Sequence, residues 1–102
     1  MAHISSYSHH TEASIPAATW DQAWFALSSW KGYLQSIPGF LAIRMSGYPL
    51  DNGDVRFRVI TVWDYPEQLE AWLGSDWSSE SMLGSLSPAA YDLVEHAWED
   101  FG

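Results

Sequence analysis

Residues 55–63, "VRFRVITVW", set the clearest pattern in the chain. Val55, Phe57, Val59, Thr61 and Trp63 fall on one face of an extended segment, and Arg56, Arg58, Ile60 and Val62 on the other. Length and β-branched, aromatic content predict a central strand. Upstream the period changes. Trp20, Trp24, Leu27, Trp30 and Leu34 recur at spacings of four and three, widened by Phe25 and Tyr33, which predicts an amphipathic helix. Pro16 opens it, and Pro38 with Gly39 ends it near Ser36. Residues 40–46, "FLAIRMS", predict a second strand, and "YPLDNGD" (48–54) is turn chemistry that makes the two strands a hairpin. Pro66 starts a second helix, Glu67 complements its dipole, Leu69, Trp72 and Leu73 mark its inner face, and Gly74 stops it. "SDWSSESML" (75–83) predicts a further helical turn or two, capped by Ser75 or Asp76.

The two ends are less regular. Residues 3–13, "HISSYSHHTEA", predict a strand polar on both faces, suited to a site edge or a mating surface. Residues 91–99, "YDLVEHAWE", predict a last strand, with a short helix as the alternative. The order is β-α-β-β-α-β, the ferredoxin-like α+β arrangement with helices on one face of an antiparallel sheet. The opposite face would carry Ile60, Val62 and Val94, so two sheets packing face to face as a homodimer is the economical way to cover it.

Composition narrows the function classes. The 102 residues suit one domain, 1–102. Seven tryptophans and 16% aromatic content exceed what so small a domain easily hides, so a pocket or an interface should absorb some. Net charge is −9, and Lys31, Arg44, Arg56 and Arg58 form no basic footprint, which argues against nucleic acid and anionic membrane surfaces. Cysteine is absent, which excludes thiolate chemistry. No apolar run reaches a membrane span, and "MAHISSYSHH" lacks the features of a signal peptide, so a cytoplasmic protein is expected. No glycine-rich phosphate loop, nucleophile elbow or zinc motif occurs.

"IPGFLAI", the hairpin, and "VITVWDYPEQLEAWLGSDW" together resemble the antibiotic biosynthesis monooxygenase family of dimeric α/β barrels. The resemblance rests on Pro38, Gly39, Phe40, Trp63, Trp72 and Ser75 and covers roughly residues 37–80. It implies the ferredoxin-like fold and a homodimer. It also implies oxygenation of a small planar quinol-type molecule without a cofactor, or, in another branch, haem binding or degradation. In the polyketide-oxidising branch an Asn and a Tyr accompany the strand-end Trp; here those positions are Val59 and Leu69. In the haem branch the iron-ligating His position is Met82, the helix Trp is Trp72, and the first-strand Asn falls near His9 or His10. A non-catalytic dimeric ligand-binding module is the third reading.

The candidate site follows. A cofactor-free oxygenation needs a base, a hydrogen-bond donor and flat walls. His9 or His10 would be the base, because imidazole titrates near neutrality. Thr61 or Tyr7 would donate, and Trp63, Trp72, Trp77 and Met82 would wall the ligand. Trp63 and Trp72 have core packing as the plain alternative. Adjacent strand residues point to opposite faces, so His9 and His10 cannot share one site. A metal site from one of them with His96 and Glu95 has no ligand-spacing motif behind it, so no metal is expected. Arg56 and Arg58 are expected to pair with acidic residues such as Glu95 or Glu99, or with a partner subunit.

Overall fold

The computed structural model describes residues 3–74 and 90–101. Strand β1 (Ile4–Ile15) leads through a short 3₁₀ turn, Ala17–Thr19, into helix α1 (Trp20–Leu34). Strands β2 (Phe40–Pro49) and β3 (Val55–Trp63) form the hairpin. Helix α2 (Pro66–Leu73) and strand β4 (Tyr91–Phe101) complete the described elements. The sheet is antiparallel in the order β2-β3-β1-β4, so the ferredoxin-like prediction holds and 91–99 is strand, not helix. The further helical turn expected at 75–83 lies outside the described residues.

Local chemistry explains most boundaries. β3 and α2 occupy the predicted spans, bounded by turn residues at one end and by Pro66 and Gly74 at the other. β2 runs three residues past its predicted end because Gly47, Tyr48 and Pro49 continue to pair with Phe57, Arg56 and Val55. Pro49 is tolerated here because β2 is an edge strand, with one side that has no ladder partner. The pairing of β2 with β3 is interrupted between Phe40 and Ala42, a bulge at the start of the edge strand. The remaining turn closes tightly through Leu50 N–H to the Asp54 carbonyl at 2.7 Å and Gly53 N–H to the Leu50 carbonyl at 3.0 Å.

The buried stripe of α1 differs from the expected one. Ala23, Leu27, Trp30 and Leu34 are buried, whereas Trp24 is 47% and Phe25 75% exposed. The observed set also has helical spacing, but its first member is a small alanine rather than a tryptophan. Trp20 covers the sheet beside Gly47, where its ring would lie 3.2 Å from any added Cβ, and tilts against Phe57.

The core is built as an aromatic ladder that joins the sheet to both helices. Trp63 on β3 meets Phe40 edge-on at 5.5 Å and stacks on Trp72 of α2 at 6.0 Å. Trp72 in turn packs on Trp30 of α1 at 5.1 Å. Trp63 is fully buried, and each such ring removes on the order of 200 Å² from water, about 5 kcal/mol of transfer free energy.

β1 is more deeply buried than a strand polar on both faces suggests: it lies between β3 and β4, and Ser8, His9, Thr11 and Ser14 on it are all buried. Pairing with β3 over residues 7–15 and with β4, interrupted by register shifts at Ser5 and Ala13, satisfies most of its backbone.

Gly39 provides a test of this frame. Its φ of +85° is in the region that favours glycine, and an added Cβ would collide with the Gln68 side chain of α2. Gly53 also has positive φ, +89°, but faces open space. Gly39→Ala should therefore lower stability by about 2–3 kcal/mol and Gly53→Ala by about 1 kcal/mol, read as midpoints of urea denaturation.

Candidate functional site

The register of β1 decides which side chains share a face. Tyr7, His9, Thr11, Ala13 and Ile15 pair with Trp63, Thr61, Val59, Phe57 and Val55, the residues of β3 that form the core. On the other side Tyr7, His9 and Thr11 pair with Glu99, Ala97 and Glu95 of β4. The helix-side face thus carries rows of side chains: Glu99, Tyr7, Trp63 and Phe40; then Ala97, His9, Thr61 and Ile43; then Glu95, Thr11, Val59 and Met45. Apolar groups fill the β2–β3 side under the helices. Polar groups collect toward β4.

His9 sits at the centre of this polar group and is 5% exposed. Its Nε2 lies 3.7 Å from Glu95 Oε1, within reach of charge attraction but long for a hydrogen bond. The Thr11 hydroxyl lies 3.5 Å from His9 Nδ1 and donates to Glu95 Oε1 at 3.4 Å. Burial pushes the His9 pKa down; Glu95 opposes that shift, and His10 adds to it. The ring is therefore a neutral base at pH 7, with a carboxylate beside it that would stabilise the protonated form. Across the sheet, Trp63 Nε1 donates to Thr61 Oγ1 at 3.0 Å, which leaves the threonine its own proton to donate.

Beside this cluster a cleft of about 260 Å³ opens between β4, the first half of β1 and α2. Tyr7 and Ala97 form its floor, Leu69 and Leu73 its apolar wall, and Glu70 and Glu99 also line it. Ala97 lines the cleft and pairs directly with His9, so the imidazole neighbours the cleft without lining it.

The sequence candidates are distributed as follows. His9 and Thr61 face each other, Tyr7 lines the cleft, and Trp63 holds Thr61 from the core. Trp72 belongs to the aromatic ladder and shows an edge to a second hollow of about 240 Å³ with Tyr33, Ile37, Gln68 and Ala71. Trp77 and Met82 lie outside the described residues. His10 is on the opposite face, opposite His96 and edge-on to Trp98 at 6.2 Å. Glu95, by contrast, is with His9, so the metal set of a first-strand His, His96 and Glu95 is split by the sheet. No group of three metal-ligating side chains occurs among the described residues.

Two acidic residues were expected in the wrong role. Arg56 pairs with Glu12, not with Glu95 or Glu99, through contacts of 2.8 and 3.1 Å, and also donates to Ser14 and the Asp92 carbonyl. Glu95 and Glu99 are on the helix side, with their parity set by the Thr11–Glu95 and Tyr7–Glu99 pairs. Glu95 does stand beside a first-strand histidine, as in the metal set considered from the sequence, whereas Glu99, Thr11, Ala97 and Glu70 are site residues that sequence reasoning missed. Alternation along β4 groups Glu95, Ala97 and Glu99, but only the strand register assigns them to the side of His9.

Solved structures share this geometry of chain. A candidate antibiotic biosynthesis monooxygenase from Deinococcus radiodurans superposes with a TM-score of 0.75 at 17% identity, over 92% of this chain and 91% of that one. The fold is theirs. SnoaB of Streptomyces nogalater, a cofactor-independent oxygenase, matches with a TM-score of 0.71 at 10% identity, covering 94% of this chain and 93% of its own. A dimeric ferredoxin-like protein from an uncultured marine organism matches with a TM-score of 0.69 at 13% identity, over 93% and 94% of the two chains. No protein-family model matches the sequence, and no curated protein does. At these identities the likeness establishes the antibiotic-monooxygenase type of fold, and the chemistry must be argued from the site.

His9 gives a direct check on the electrostatics. Its folded-state pKa lies below the ordinary 6.5, so the unfolded chain binds more protons as pH falls. The stabilising contribution of the neutral buried ring is present above pH 6.5 and is lost as pH drops through the folded pKa. NMR titration should place the His9 midpoint below 6.5, and His9→Gln should flatten that segment of the stability–pH curve.

Proposed function

We propose that this protein is a cofactor-independent monooxygenase acting on a small planar phenol or quinol held in the cleft beside Tyr7 and Ala97. The observation that carries the reading is the buried, neutral His9 with Glu95 at 3.7 Å, one strand across from the cleft floor. The fold shared with SnoaB supports it.

In this scheme His9 removes the phenolic proton, and Glu95 stabilises the imidazolium. The phenolate transfers one electron to dioxygen, and the two radicals combine as a ring hydroperoxide. Loss of water leaves the quinone. One oxygen atom enters the product and the other leaves as water, so dioxygen is the only oxidant required. Tyr7, which lines the cleft, is the better placed donor to the developing oxyanion, because Thr61 is 1% exposed and tied to Trp63. Trp63 acts through Thr61 and the core rather than by stacking on the ligand.

1-Naphthol, anthrone and a naphthoquinol under air are suitable substrates. Oxygen uptake with quinone formation is expected, falling at least about 100-fold in His9→Gln while circular dichroism stays unchanged. Absence of both binding and turnover across the panel removes the reading.

The homodimer is part of the same proposal. The face away from the helices presents Ile60, Val62, Val94 and Trp98, the last two 42% and 53% exposed, and two such sheets can pack face to face. The dimeric ferredoxin-like relative supports this arrangement. Val62→Asp should convert the species seen in sedimentation velocity from dimer to monomer, because it would place a carboxylate at the buried centre of the joined sheets.

A further inference from the structure

The sheet separates charge. Arg44, Arg56 and Arg58 pair within the uncovered face, in rows with Ile60, Glu12 and Ser14. Lys31, which completes the chain's Lys and Arg residues, is exposed on α1 and does not line the cleft. The helix side has the opposite character. Glu70 and Glu99 line the cleft, and Glu95 stands behind Ala97. The side chains of Glu70 and Glu99 have no hydrogen bond or ion pair among the described residues, whereas Glu12 is held by Arg56. His9 is neutral, so it offers no compensating charge.

Two unpaired carboxylates beside an apolar wall create a negative potential that the low-dielectric Leu69 and Leu73 surface does little to screen. A ligand carboxylate entering there meets like charge on two sides and no cation. A ligand ammonium meets two acceptors that would otherwise remain solvated.

We propose that the cleft selects planar phenols bearing a protonated amine and rejects carboxylated ones, with Glu70 and Glu99 as the specificity-determining residues. This rests on the cleft being the ligand site and adds to that reading the charge of the ligand. The ring lies on Tyr7, Leu69 and Leu73 with its hydroxyl toward Ala97 and His9, and the ammonium reaches the acidic rim.

Calorimetric titration of the intact protein at low ionic strength with 6-aminomethyl-2-naphthol, 2-naphthol and 6-hydroxy-2-naphthoic acid tests this. The amine is expected to bind about tenfold more tightly than 2-naphthol and the acid about tenfold more weakly, with the spread shrinking in high salt. The Glu70→Gln, Glu99→Gln double variant should bring the amine-to-acid ratio close to one. The Asp21→Asn, Asp51→Asn pair, which removes the same charge from positions outside the cleft, should preserve it. Equal binding of the three compounds, or a ratio that survives the Glu70, Glu99 variant, overturns the selectivity alone. Failure of all three to bind overturns the cleft reading together with it.

Discussion

The contact on which the rest of the structure depends is the stack of Trp63 on Trp72. It is where the sheet meets α2, and through Trp72 and Trp30 it also fixes α1. Two short helices could pack on a sheet in many positions. A flat ring pinned by a hydrogen bond to its own strand leaves few of them. Trp63 is pinned in that way, through Nε1 to Thr61. A phenylalanine there would fill space but would not hold Thr61, and Thr61 is the residue that backs His9 across the β1–β3 pairing. Core packing and site geometry are therefore joined at one indole.

The polar interior of β1 follows from the same layout. A strand bearing Tyr, His and Thr inward is a poor core element on its own account. Here the aromatic ladder supplies the apolar burial on the β2–β3 side, so the β4 side can hold groups that must titrate and donate. His9 is dry enough to stay neutral and close enough to Glu95 to accept a proton. Moving it by one residue along the strand would put it where His10 is, beside Arg58, His96 and Trp98 on the other face.

Much of this was legible in the sequence, and the gaps have physical reasons. β3 and α2 were readable because their ends carry strong chemistry: turn residues before Val55, proline at 66, glycine at 74. The α1 stripe was misread because a tryptophan at position 24 outweighs an alanine at 23 in any hydrophobic tally. Burial is set instead by which flank can approach the sheet, and the small side chain allows that approach. The opposition of His9 and His10 followed from parity alone. The meeting of His9 with Thr61, Ala97 and Glu95 depends on register between strands far apart in sequence, which no local pattern encodes. The pairing of Arg56 with Glu12 has the same origin: adjacent rows of β1 and β3, not the acidic residues of β4.

The outer strand β2 carries a further consequence. A sheet edge with free backbone donors and acceptors is a template on which other chains can add strands. β2 begins with a bulge between Phe40 and Ala42 and ends in Pro49, which has no N–H to offer. The segment between is bounded at both ends by a position that cannot continue a regular ladder. In a protein this rich in aromatic and β-branched residues, those two features shorten the stretch of β2 on which a strand from another chain could add.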